Sequence, residues 1–263
     1  MQGRRELNRD VKSAGRVIDI FEFFADRQCP ATLTEICKRL DLPASSATML
    51  LKTLVGKGYL DYDRKARTYL PTIRTALLGI WLNDMLLNDG TILRLMCDLR
   101  DRTGQTVTLA VQSGLSVQYI KVVPSNTRPT SPKVLTGKLR PLLRSAVGYA
   151  LLSLKTEPEV LLLARRINAE EKRPDKIVRT QDLLAHIEGY RRDGYAYTEQ
   201  ATSAGAAIVA TLIAAPPHQP PLALGIGGPI DQLRAHKQEY AQALKEVAEI
   251  HLRNMEGAKQ TFH

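Results

Sequence analysis

Ser45, Ser46, Thr48, Met49 and Lys52 bring short hydroxyls, one thioether and one cation together within eight residues. At helical spacing Ser45, Thr48, Met49 and Lys52 share a single stripe. Hydroxyls of this size can donate to or accept from base edges, and a thioether can pack against a thymine methyl. A stripe so short and weakly charged fits a major groove about 12 Å wide, whereas a merely solvated face more often carries Glu and Lys. Farther along, Arg64, Lys65 and Arg67 crowd into four positions. Such a cluster suits phosphate or minor-groove contacts, which hold register without reading sequence.

Positioning those side chains requires specific elements, and residues 32–70 supply the signals for them. Thr32 and Glu35 have capping-box spacing, so a helix is expected to start there, with Leu33, Ile36, Cys37 and Leu40 on one face. Asp41, Leu42 and Pro43 interrupt it. A second helix is expected to begin at Pro43, whose missing amide proton costs nothing in a first turn. Ala47, Leu50, Leu51 and Leu54 form its buried stripe, opposite the polar one. Gly56 and Gly58 end it. Tyr59, Leu60, Tyr62, Tyr69 and Leu70 then alternate with charged residues as strand, turn and strand, with the basic cluster at the tip. The pattern reads as a winged helix-turn-helix; the competing reading is a small helical subdomain with a solvated hairpin.

The stretches SAGRVIDIFEFF (residues 13–24) and LTEICKRLDLPASSATMLLKTLVGKGYL (residues 33–60), with weaker support from residues 137–153, GYAYTEQ (194–200) and LALGIGGP (222–229), resemble the IclR-type bacterial transcriptional regulators almost end to end. The resemblance implies an α+β chain of two domains: an amino-terminal winged helix-turn-helix, a linker helix and a carboxy-terminal GAF-like domain that binds an effector, assembled as a homodimer or homotetramer. It implies a flexible basic arm over residues 1–10, the DNA-binding domain over 11–71, the linker over 72–90 and the effector domain over 91–257. Ser45, Ser46, Thr48 and Met49 would enter the groove, with Arg16, Lys52, Arg64, Lys65 and Arg67 nearer the backbone. Many relatives carry Arg where Met49 stands. Methionine cannot make the bidentate contact to guanine, so either a thymine methyl is read there or specificity lies elsewhere.

Composition fits a two-domain regulator that binds double-stranded DNA. The chain has 263 residues, 44% of them hydrophobic, and a formal net charge of +10. Residues 1–75 carry 14 Lys and Arg against 9 Asp and Glu, a net of +5. The remaining 188 carry 23 against 18, also +5, so positive charge is denser in the first third. That asymmetry suits phosphate neutralisation. Arg4, Arg5 and Arg9 of the arm could follow a groove or remain a solvated tail. Cys29, Cys37 and Cys97 are odd in number and lack CxxC spacing, which suggests neither a disulfide framework nor a zinc site and points to a reducing cytoplasm. The amino terminus has no secretory pattern. No stretch approaches the roughly 20 apolar residues of a membrane span. The apolar segment at residues 75–89 instead suits a linker helix, with Trp81 and Met85 either between subunits or packed within one.

From residue 91 the pattern becomes helix, hairpin and further strands and helices, an α+β sensor domain with a mostly antiparallel sheet. Residues 92–99 make a helix ending at Gly104, and residues 106–111 and 117–123 a hairpin. Residues 142–154 and 181–192 are expected to be helical, the latter capped by Thr180. Residues 208–214 and 222–227 are expected strands, LGIGGP a turn, and residues 231–255 one final helix. The resemblance places an effector pocket around residues 137–149, 195–199 and 205–211, which here are more apolar than in relatives. That favours an aromatic or otherwise hydrophobic acid over glyoxylate or pyruvate. Arg144 or Arg128 could pair its carboxylate, Thr108, Tyr119, Ser145 and Tyr197 could supply hydroxyls, and Leu143 and Ile208 could line the pocket.

Two other readings compete. An enzyme fused to the DNA-binding head would need a catalytic motif. The five histidines show no HExxH spacing, and no G-x-S-x-G elbow, P-loop or dinucleotide fingerprint occurs, so neither catalysis nor a cofactor is expected. An effector-free architectural or RNA-binding protein, its second domain serving only oligomerisation, would not need over 150 residues of pocket-forming α+β structure.

Overall fold

The computed structural model describes residues 11–79, 90–127, 134–201, 203–216 and 219–260. The basic arm, Trp81, Met85 and Arg128 lie outside them. The chain divides into two compact units, Met1–Asp84 and Met85–His263.

The first unit opens with α1 (Lys12–Arg27), followed by β1 (Ala31–Thr32), α2 (Leu33–Leu40), α3 (Ala44–Gly56), β2 (Leu60–Asp63), β3 (Thr68–Pro71) and the short α4 (Ile73–Leu77). The capping box forms: Thr32 Oγ1 accepts from the Glu35 amide, while the Glu35 carboxylate accepts from the Thr32 N–H at 2.8 Å. Asp41 closes α2 in the left-handed region at φ 51°. Pro43 occupies the N-cap position of α3, so that helix begins one residue later than expected, at Ala44. Ile20, Phe24, Ile36, Leu51, Leu54, Leu60 and Tyr69 make the core on which α1, α2, α3 and the sheet converge. The sheet has the order β1-β3-β2, with Ala31 opposite Tyr69. A two-residue β1 is too short to show as period-two alternation.

The second unit comprises α5 (Thr91–Thr103), β4 (Thr106–Ser113), β5 (Ser116–Val123), β6 (Leu139–Pro141), α6 (Ala146–Leu152), α7 (Glu157–Glu170), α8 (Thr180–Asp193), β7 (Ala196–Glu199), β8 (Ala206–Ile213), β9 (Leu222–Pro229), α9 (Ile230–Ala235) and α10 (Lys237–Gln260). Its six strands are antiparallel in the order β6-β5-β4-β9-β8-β7. Successive residues of a strand face opposite ways, and here both faces are covered. Val107, Leu109, Val209, Leu224 and Ile226 pack toward α5 and α10. Ala110, Ala196, Ala210 and Ala223 pack toward α6, α7 and α8. Alanines on that second face let α6, all seven of whose residues are buried, lie close against the sheet.

Several expected bounds change. The helix expected at residue 142 starts at Ala146, because Ser145 caps it and residues 142–144 turn out of edge strand β6. Thr180 is the first residue of α8 rather than its cap, a position held by Arg179. LGIGGP is not a turn but the body of central strand β9, hydrogen-bonded to β4 and β8. The final helix breaks at His236, whose φ and ψ of −109° and 17° leave the helical region.

Candidate nucleic-acid interface and ligand cavity

The outward face of α3 carries Ser45, Met49 and Lys52, all exposed, with Ser46 and Thr48 half-buried on its flanks. Met49 stands at its centre, 69% exposed. The Thr48 hydroxyl donates to the Ala44 carbonyl at 2.7 Å, and that of Thr53 to the Met49 carbonyl at 2.9 Å. Each therefore offers its oxygen outward as an acceptor. The helix has no acidic first turn and a single charge, Lys52, so nothing on it repels phosphate. At the wing tip Asp63 Oδ1 accepts from the amides of Lys65 and Ala66, at 2.7 and 3.0 Å. This Asx turn, with Arg67 at φ 55°, holds Arg64, Lys65 and Arg67 exposed on one loop. Arg16 lies half-buried on α1.

In the second unit the sheet face that packs toward α6 continues past that helix into a cavity. Thr198, Ile208, Gly227 and Thr106 stand opposite one another across β7, β8, β9 and β4. They floor a cavity of about 270 Å³ whose wall includes Gln105, Thr108, Tyr119, Ser125, Val134, Arg140 and Ser145. Glycine lets the floor pack closely: at Gly225 a Cβ would sit 2.9 Å from Ile208 Cδ1 and 3.1 Å from Thr108 Oγ1, so those side chains fill the space it leaves.

Most of the wall's polar groups are anchored. Ser145 Oγ donates to the Pro141 carbonyl at 2.8 Å and accepts from the Gly148 amide at 3.1 Å, so both its roles are occupied by the start of α6. Thr198 Oγ1 accepts from the Ala146 amide at 3.2 Å. Gln105 donates through Nε2 to Gln232 of α9. The Arg140 guanidinium lies 5.0 Å from the centre of the Tyr119 ring. Burial pushes the Tyr119 phenol above its usual value, against the pull of the Arg140 cation, so near neutral pH the phenol keeps its proton.

The family model described as "IclR helix-turn-helix domain" matches residues 13–64, and that described as "Bacterial transcriptional regulator IclR C-terminal" matches residues 91–250. The chain belongs to the IclR family of DNA-binding transcriptional regulators. Among curated relatives, the transcriptional repressor IclR of Escherichia coli is 25% identical over 228 residues, 85% of this chain and 82% of that protein. In fold, an IclR-family regulator from Brucella abortus matches 98% of this chain and 96% of its own at a TM-score of 0.75 and 24% identity. An IclR homologue from Microbacterium hydrocarbonoxydans, complexed with 4-hydroxybenzoate, matches 93% and 99% at 0.74 and 18%.

Of the residues selected from sequence, this IclR-family chain gathers Thr108, Tyr119, Ser145 and Ile208 around the cavity. Leu143, Arg144 and Tyr197 do not line it. Leu143 is buried in the core beneath α6, and Arg144 sits in the turn before that helix. Tyr197 falls on the other face of β7, where its hydroxyl donates to Glu199 at 2.6 Å and Lys237 lies over its ring. Its neighbour Thr198 takes the cavity side. Arg140 precedes a proline where the sequence points to the start of a helix, so nothing local marks it as a pocket residue. Its signal is pairing: it stands opposite Val117 on β5, hence on the face that also carries Tyr119. Among the described residues no cluster of His, Cys, Asp and Glu could hold a metal ion, and no helix is long and apolar enough to cross a membrane.

Proposed function

We propose that this IclR-family regulator acts in the cytoplasm as a homodimer or homotetramer, gripping a palindromic or repeated operator through α3 and the basic wing. A small organic acid with an aromatic or otherwise apolar body binds the second unit and alters operator affinity. The cavity carries the reading: a floor on which Ile208 and Gly227 lie between Thr106 and Thr198, with further hydroxyls and one guanidinium at its wall, suits an apolar body with a charged end. The fold neighbour complexed with 4-hydroxybenzoate is a precedent for that class. Ser45, Ser46, Thr48 and Met49 would read bases, and Arg16, Lys52, Arg64, Lys65 and Arg67 would hold the backbone. The effector must bind the two operator-affinity states unequally to act at all.

Two measurements test this. Selection of binding sites from random duplexes with the full chain is expected to enrich a symmetric or repeated sequence. A thermal-shift series comparing aromatic acids with short keto acids is expected to show stabilisation by the former. Stabilisation by the short hydrophilic acids alone would overturn the effector class.

A further inference from the structure

We propose that Arg140 selects the charge of the effector: its guanidinium, laid over the Tyr119 ring, takes the carboxylate of the acid whose apolar body rests on Ile208 and Gly227. The inference rests on the cavity being the effector site.

Among the described residues lining the cavity Arg140 is the one cation, and none is Asp or Glu. Its position is built by the sheet. Arg140 stands on edge strand β6 opposite Val117, and Tyr119 follows two residues along the same face of β5. The ring contact at 5.0 Å and donation from Nη1 to the Leu139 carbonyl at 3.3 Å hold the guanidinium at the cavity wall. A planar fork can meet both oxygens of a carboxylate, which an ammonium cannot. The other donors favour the same assignment. The Tyr119 phenol stays protonated in its buried setting and can donate beside the fork. Thr198 Oγ1 receives the Ala146 amide and has its own proton to give. Ser145, committed to Pro141 and Gly148, caps α6 and contributes no donor. An anion leaving water thus meets a fixed positive partner and neutral donors, whereas the isosteric neutral amide brings its own donors to a wall already supplying donors.

Isothermal titration calorimetry of the full chain with benzoate, phenylacetate and hexanoate, each beside its primary amide, tests the assignment. On the wild-type protein at least one acid is expected to bind about tenfold or more tightly than its amide. Arg140→Gln is expected to abolish that preference by weakening the acid alone. Arg140→Lys, which keeps the charge and loses the fork, is expected to weaken the acid about threefold or more while leaving the amide unchanged. Circular dichroism reports whether each variant is folded; if Arg140→Gln is not, Arg140→Lys decides. Equal binding of acids and amides to wild type, or unchanged acid preference in a folded variant, overturns the role of Arg140 and leaves the cavity reading intact. Binding of no acid and no amide to wild type overturns the cavity reading, and this inference with it.

Discussion

Met49 occupies the centre of the outward face of α3 and touches no core, so its replacement leaves the fold alone. Met49→Arg is expected to change stability by less than about 0.5 kcal/mol while moving the enriched operator toward guanine at one position per half-site. Identical enriched sites for both proteins would remove Met49 from the reading surface. Glu35 offers a second test. The Thr32 backbone and hydroxyl, then Arg27 at 2.6 Å, hold its carboxyl down from 4.5 to about 2. The folded unit thus releases this proton more readily than the unfolded chain does. The stabilisation is complete above pH 4.5 and is lost as pH falls through about 2. Glu35→Gln is expected to flatten the acid limb of the stability profile across that window, modestly and in a salt-sensitive way because the side chain is exposed. Urea midpoints of both proteins at neutral and acid pH would show it, and parallel profiles would contradict it. Both residues were legible in sequence because caps and stripes act within four positions. Arg140 was not, since its place depends on a partner strand more than twenty residues away.

At the scale of elements, α6 shows how tightly a helix can be seated against the turn that precedes it. A Cβ on Gly148 would overlap the Leu142 carbonyl oxygen. Gly148→Ala is expected to destabilise the second unit by about 1–3 kcal/mol. Gly56, in the last turn of α3, has open space around it, and Gly56→Ala is expected to stabilise the first unit by about 0.4–1 kcal/mol. Thermal or urea unfolding of the two variants would check both signs; a neutral Gly148→Ala would mean that the turn before α6 yields freely. The bounds of α6 were obscure because a helix apolar on every side has no period to read. α7 escaped despite a local signal, the Thr156 and Glu159 capping pair with Pro158 in the first turn. The break at His236 had none: neither Gly nor Pro marks it, and the buried residues Leu233, Tyr240, Leu244 and Val247 continue across it.

The molecule as a whole is two units with separate cores, one around Leu51 and Ile36, the other on the two faces of the six-stranded sheet. Leu51→Ala is therefore expected to cost the first unit about 2–5 kcal/mol and to leave unfolding of the second unit where it was. Far-ultraviolet dichroism during urea titration would resolve the two, and a joint shift of both transitions would show that they unfold together. By itself the sequence determined the winged helix-turn-helix, the α+β class and the IclR resemblance, because capping boxes, helical stripes, turn residues and charge clusters are interactions between near neighbours in the chain. The cavity was decided only by tertiary structure. Thr106, Thr198, Ile208 and Gly227 come together through antiparallel registers spanning more than a hundred residues. In such a sheet a shift of one residue exchanges the faces, which is why Thr198 rather than Tyr197 lines it; Arg140 lines it because it lies on edge strand β6, whereas Arg144 lies beyond that strand in the turn before α6.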